Sequence, residues 1–187
     1  MTSSGIPEWT TQGILPPIHP SSELRAPYIV LLDEVVLRFG TTPARQAITE
    51  GFLQYRTELH AAGLIEGFQW IDGSFLENIE LLESRPPNDV DVITFYRLPN
   101  GVTQADLAQQ APGLFDRIQV HERLRVDAGV QCLDVPSERI VAQSMYWYSM
   151  WSHRRDRSWK GFLQVDLSPS EDDMARRTLR MLRGAGV

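Results

Sequence analysis

The sequence holds a single cysteine, Cys132, so no internal disulfide can form. Its four histidines, His19, His60, His121 and His153, are scattered, and without Cys/His clusters at ligand spacing a zinc site is not expected. No run approaches the roughly 18 apolar residues of a membrane span, and the opening "MTSSGIPEWTTQG" lacks the basic-then-apolar order of a signal peptide. A cytoplasmic protein with no membrane role is the expectation. Positive charge is scarce as well: 18 Lys and Arg stand against 24 Asp and Glu, a formal net charge of −6. Affinity for nucleic acid comes largely from neutralising phosphates, so broad nucleic-acid binding is not expected. Internal repeats are also missing.

What is present is ordinary globular composition, 42% hydrophobic and 22% charged over 187 residues, enough for one domain with its own core. Pro, Ser and Gly in "GILPPIHPSS" predict an extended arm outside the compact core, followed by a short helix between Tyr28 and Phe39. The expected organisation is therefore an arm and short helix over 1–40 and a domain over 41–187. Thr42 as cap, Pro43 in the first turn and Ile48, Phe52, Tyr55, Leu59 and Ala62 at spacings of three and four predict a helix that Gly63 stops. "FQWID" reads as a buried strand, "FLENIELLE" as a helix ended by "SRPPN", and "DVDVITFY" as the strongest strand in the chain. One or two helices broken near Pro112, a strand in "VDAGVQCLDVP", a helix capped by Ser137, a strand in "KGFLQVDL" and a last helix follow. Strands alternating with helices imply an α/β layered domain.

Two acids, Asp89 and Asp91, stand in the best strand signal of the chain. Residues i and i+2 of a strand project from one face, so their carboxylates lie side by side and repel unless protonated or bound to a cation. Oxygen-only ligands of this kind suit Mg²⁺, or Mn²⁺, whose shell is usually completed by water and substrate phosphates. Gly73 and Ser74, between a predicted strand and a predicted helix, offer free backbone N–H groups and a hydroxyl as a phosphate seat. A third acid completes a two-metal centre. Asp134, late in a strand that can neighbour the first pair, is the preferred candidate, and Asp127 the reserve.

An apolar strand, Gly-Ser, a helix, Asp-x-Asp on the next strand and a later acid resemble the polymerase-β-like nucleotidyltransferase superfamily. "GILPP", "RFGTTPARQAITEGF", "WIDGSF", "PNDVDV" and "YWYSMW…RSWKGFLQVDL" look like a family of small bacterial proteins of unassigned function related to its minimal members. The resemblance implies a mixed central sheet flanked by helices. It further implies triphosphate at Gly73 and Ser74, metals at Asp89 and Asp91, and Asp134 at the second metal or the nucleophile. Ser74 and Asp89 are fifteen positions apart, longer than in the most compact members, and "LLESRPP" reads as the extra length.

The basic stretch "SHRRDRSWKG" reads either as a solvated loop or as a contact with triphosphate or an anionic acceptor, with Lys160 the preferred phosphate ligand. The aromatic run Tyr146, Trp147, Tyr148 and Trp151 reads as core or interface rather than a base-stacking platform. The leading expectation is a Mg²⁺-dependent enzyme moving a nucleotidyl group from a nucleoside triphosphate to a hydroxyl on a protein, RNA or small molecule. The resemblance implies a toxin–antitoxin or phage-defence setting. The competing expectation is a nucleotidyltransferase-fold module with little turnover that binds nucleotide or a partner protein. So short a chain leaves a partner protein or a homodimer to supply the acceptor surface.

Overall fold

The structure, a computed structural model, describes residues 5–185. Its centre is a five-stranded mixed sheet in the order β1-β5-β2-β3-β4. The strands are β1 (Tyr28–Ile29), β2 (Gly67–Asp72), β3 (Val90–Tyr96), β4 (Val126–Cys132) and β5 (Leu163–Asp166). β1 runs parallel to β5 and β3 parallel to β4, whereas β2 is antiparallel to both its neighbours. The chain between β3 and β4 must therefore cross over, and it does so through three short helices, α4 (Gln104–Gln110), α5 (Pro112–Phe115) and α6 (Arg117–Leu124).

One sheet face packs on α2 (Pro43–Ala61), which starts as the sequence predicts, with the Thr42 hydroxyl accepting from the Arg45 N–H at 3.3 Å. Such a cap contributes about 1 kcal/mol. α6 lies against α2 and β4, and the approach is close at Gly51, where an added Cβ would fall 1.8 Å from the Leu124 carbonyl. α8 (Asp172–Gly184) packs on α1 (Leu32–Phe39) and α2. The knot between them is Arg56, wholly buried, which donates to the Asp172 carboxylate, to Gln69 and to the carbonyls of Asp166 and Ser168. The other face carries Trp70, Phe95 and Phe162, over which Tyr148 and Trp151 of α7 (Ser137–Trp151) pack edge-on. The core reading of that aromatic run holds for these two and for the part-buried Trp147, while Tyr146 is 55% exposed. None of the helices among the described residues is long and apolar enough to cross a membrane.

Several expectations change. Ser137 is the first residue of α7, with Pro136 and not Ser137 at the cap position, and the crossover holds three helices rather than one or two. The segment expected to be an extended arm is part of the body from residue 5 onward: Ile14 and Leu15 are buried, the Asn78 N–H donates to the Gly13 carbonyl and the Gly161 N–H to that of Leu15. Residues 1–4 of it lie outside the described residues. The predicted helix between Tyr28 and Phe39 is a two-residue strand followed by α1. The predicted helix after Ser74 is a 3₁₀ turn, Ser74–Leu76, then an extended Glu77, then the short α3 (Ile79–Glu83).

Candidate functional site

The sheet register gathers acids that the sequence scatters. Asp72, the last residue of β2, pairs across the ladder with Asp91 of β3, and Asp91 pairs with Asp127 of β4. Directly opposed residues on neighbouring strands project from the same face, with strands about 4.8 Å apart, so three carboxylates form a row across three strands. Asp89, in the extended segment just before β3, adds a fourth two residues from Asp91. The row lies at one end of the sheet, on the α7 side.

Burial and like charge act on this row together. Burial pushes the Asp91 carboxyl up to about 7, helped by the negative charges of Asp72, Asp89 and Asp127 and opposed by Lys160. Burial likewise raises Asp72 to about 6, against the lowering effect of Lys160 and of the Gly73 N–H that it accepts. Basic side chains hold the other acids. The Lys160 ammonium lies 2.7 and 2.8 Å from the two oxygens of Asp72 and 3.8 Å from Glu77, itself 3.2 Å from Arg154. Arg117 grips both oxygens of Asp127 in a fork, and His121 Nε2 lies 2.9 Å from Asp89 Oδ2. The Asp91 carboxylate, at the centre, receives no hydrogen bond or ion pair from any described residue.

Gly73 completes the arrangement. It sits at φ +87°, ψ −174°, a conformation open essentially to glycine alone, and an added Cβ would lie 2.0 Å from Asp91 Oδ2. The backbone of the Gly-Ser turn thus lies directly on the central carboxylate. The turn is held from behind by Arg45 of α2, buried, which donates to the Phe75 and Glu77 carbonyls at 2.6 and 2.7 Å and forks onto Glu80. The added length of "LLESRPP" is taken up by α3 and the surface loop after it, and does not separate the two seats.

Of the predicted site residues, Gly73, Ser74, Asp89 and Asp91 come together, and Asp127 joins them. Asp134 does not. It follows the far end of β4, seven residues beyond Asp127 and roughly 20 Å away along an extended chain, where it pairs with Arg97 at 3.0 Å and accepts the Leu98 N–H at 2.7 Å. The parallel β3–β4 pairing is the reason: it sets strand start beside strand start, so the acid beside Asp91 is the one that opens β4. Lys160 reaches the site, but as the buried counter-ion of Asp72 and Glu77 rather than as an open phosphate ligand. Asp72, Arg45, Arg117 and His121 escaped the sequence reading. The crossover between β3 and β4, legible as strand–helices–strand, was the signal for Asp127, since such connections join parallel strands.

A divalent cation suits this donor set: a central, mostly buried carboxylate without a partner, flanked by further carboxylates, is a hard oxygen site. Among the described residues, though, no group of three or more His, Cys, Asp or Glu side chains is gathered closely enough to hold a metal ion. The backbone register fixes which acids adjoin, whereas the outer carboxylates are turned to Lys160, Arg117 and His121.

In comparisons with curated proteins and with solved structures, nothing matches the chain. Residues 7–166 match the family described as "Family of unknown function (DUF6932)", a span that takes in the whole acid row, the Gly-Ser turn and Lys160. With most of its length matched, the chain belongs to that family.

Proposed function

We propose that this protein is a small Mg²⁺-dependent nucleotidyltransferase of the polymerase-β-like fold, moving a nucleotidyl group from a nucleoside triphosphate to an acceptor hydroxyl. The observation that carries the reading is the contact of the Gly73 backbone with Asp91 in a row that continues to Asp127. A phosphate seat and a cation seat at that separation serve one nucleotide.

In this reading Asp91 and Asp127, with Asp89, hold the metal. When bound, Mg²⁺ neutralises the triphosphate and lowers the pKa of the attacking hydroxyl. The N–H groups that open the Ser74–Leu76 turn and the Ser74 hydroxyl take phosphate oxygens, because first-turn amides have no partner within the helix. Arg45 keeps that turn in place by fixing the carbonyls of Phe75 and Glu77. Lys160 pairs with Asp72, and Asp72 in turn accepts the Gly73 N–H and so anchors the turn. Catalysis rests on positioning and charge neutralisation, with no covalent enzyme intermediate.

The test is incubation with each α-labelled nucleoside triphosphate, Mg²⁺ or Mn²⁺ and cell extract. Label transfer that Asp91→Asn abolishes supports the enzyme. A second reading, a binding module of the same fold with little turnover, is favoured by the outer acids already being paired. It predicts nucleotide binding with no transfer to any acceptor.

A further inference from the structure

α6 turns an arginine and a histidine, one helical turn apart, onto the acid row. Arg117 and His121 stand at i and i+4, so they share one face of the helix. Arg117 forks onto Asp127 and His121 bonds Asp89, the two acids that flank the unpartnered Asp91. The two ends of the row differ in how firmly the counter-ion is held. Lys160 and Asp72 have side-chain exposures of 8% and 6%, so separating them would leave two buried charges. Arg117 is 70% exposed and can return to water when it lets go. α6 is also anchored without Arg117: Val120 and Leu124 are buried, and Arg123 forks onto Glu58 of α2 at 2.9 and 3.0 Å.

We propose that Arg117 is an exchangeable counter-ion, which neutralises Asp127 while the acid row is empty and is displaced from it by the divalent cation that Asp91 and Asp127 take up. The proposal rests on the metal role given to these acids above. One guanidinium cannot keep its fork on both oxygens of Asp127 while a hard cation takes the same oxygens, and a dication attracts the carboxylate more strongly than a solvated monocation does. Metal uptake therefore works against the Arg117 pair, and α6 holds the metal affinity below what the carboxylates alone would give.

The experiment is Mn²⁺ binding to the full chain without nucleotide, followed by calorimetry and by the electron paramagnetic resonance of free Mn²⁺. Arg117→Gln is expected to bind Mn²⁺ about three- to tenfold more tightly than wild type, through loss of a competing exposed pair and of one nearby positive charge. Arg117→Lys, which keeps the charge, is expected to stay near wild type. Arg123→Gln removes the same charge from the same helix away from the acid row, and is expected to change the affinity less than twofold. An unchanged or weakened affinity in Arg117→Gln overturns the proposal, as does an equal gain in Arg123→Gln, which would mark a general charge effect. In both cases wild-type binding persists and the nucleotidyltransferase reading stands. No Mn²⁺ binding by wild type or any variant overturns the metal reading and this proposal with it.

Discussion

On the β2 side of Asp91 a lysine and an aspartate face each other almost wholly out of water; on the β4 side an arginine and an aspartate do so at the surface. The chemistry of the two pairs is alike, but their surroundings decide what each can do. A buried pair loses several kcal/mol when one partner goes, because the other charge stays behind without solvent. An exposed pair is worth up to about 1 kcal/mol and can be exchanged. The sheet thus builds one fixed end, where Lys160 and Asp72 anchor the Gly73 turn, and one open end, where the counter-ion of Asp127 is the exposed Arg117.

Lys160→Met breaks the fixed end and should have the largest effect. It leaves Asp72 buried without its cation and Glu77 with Arg154 alone, and should cost about 3 to 5 kcal/mol, lowering Tm by roughly 10 °C, whereas Arg117→Gln should cost under about 1 kcal/mol. Urea denaturation of both variants checks the contrast, and equal losses would erase the distinction between the ends.

Gly73→Ala acts where the two ends meet. Its Cβ cannot coexist with Asp91 Oδ2 at 2.0 Å, so the turn or the carboxylate must move. A displacement near 1 Å at a reacting centre costs about 100-fold, so label transfer should drop by that order while circular dichroism remains that of the folded protein. Retained transfer would mean that the contact is incidental.

Asp91→Asn probes the centre of the row through pH. With the folded carboxyl at about 7 and an unfolded value near 4, the folded state binds more protons between those limits, so stability falls as pH rises across them. Asparagine carries no such penalty. At pH 8 without divalent cation, Asp91→Asn should be more stable than wild type by on the order of 4 kcal/mol, and near pH 4 the difference should close. A Tm gap that does not depend on pH would show that Asp91 is not the strained group of the row.

The same contrast separates what the sequence displays from what it hides. Local signals served well where local chemistry decides: Thr42, Pro43 and the spacing from Ile48 to Leu59 define α2, and alternation defines β3. Asp89 and Asp91 were legible because they stand two apart on one segment. Asp127 and Asp134 could not be told apart that way, since both flank the same strand; only the direction of β4 relative to β3 chooses between them. Asp72 was hidden in an apolar strand, and its place depends on an antiparallel register set by backbone bonds. The segment holding Ile14 and Leu15 has loop composition, yet its partners, Asn78 and Gly161, are supplied from distant parts of the chain. Lys160 looked free for a phosphate because its sequence neighbours are basic, whereas in space its neighbours are Asp72 and Glu77.

The most direct test of the account sets Asp127→Asn against Asp134→Asn in Mn²⁺ binding measured by calorimetry on the full chain. Asp127 adjoins Asp91 in the ladder and Asp134 lies beyond the opposite end of β4, so Asp127→Asn should weaken binding at least about tenfold and Asp134→Asn should leave it within about twofold. Equal losses in both variants, or a loss confined to Asp134→Asn, would contradict the placing of the cation seat at the start of β3 and β4.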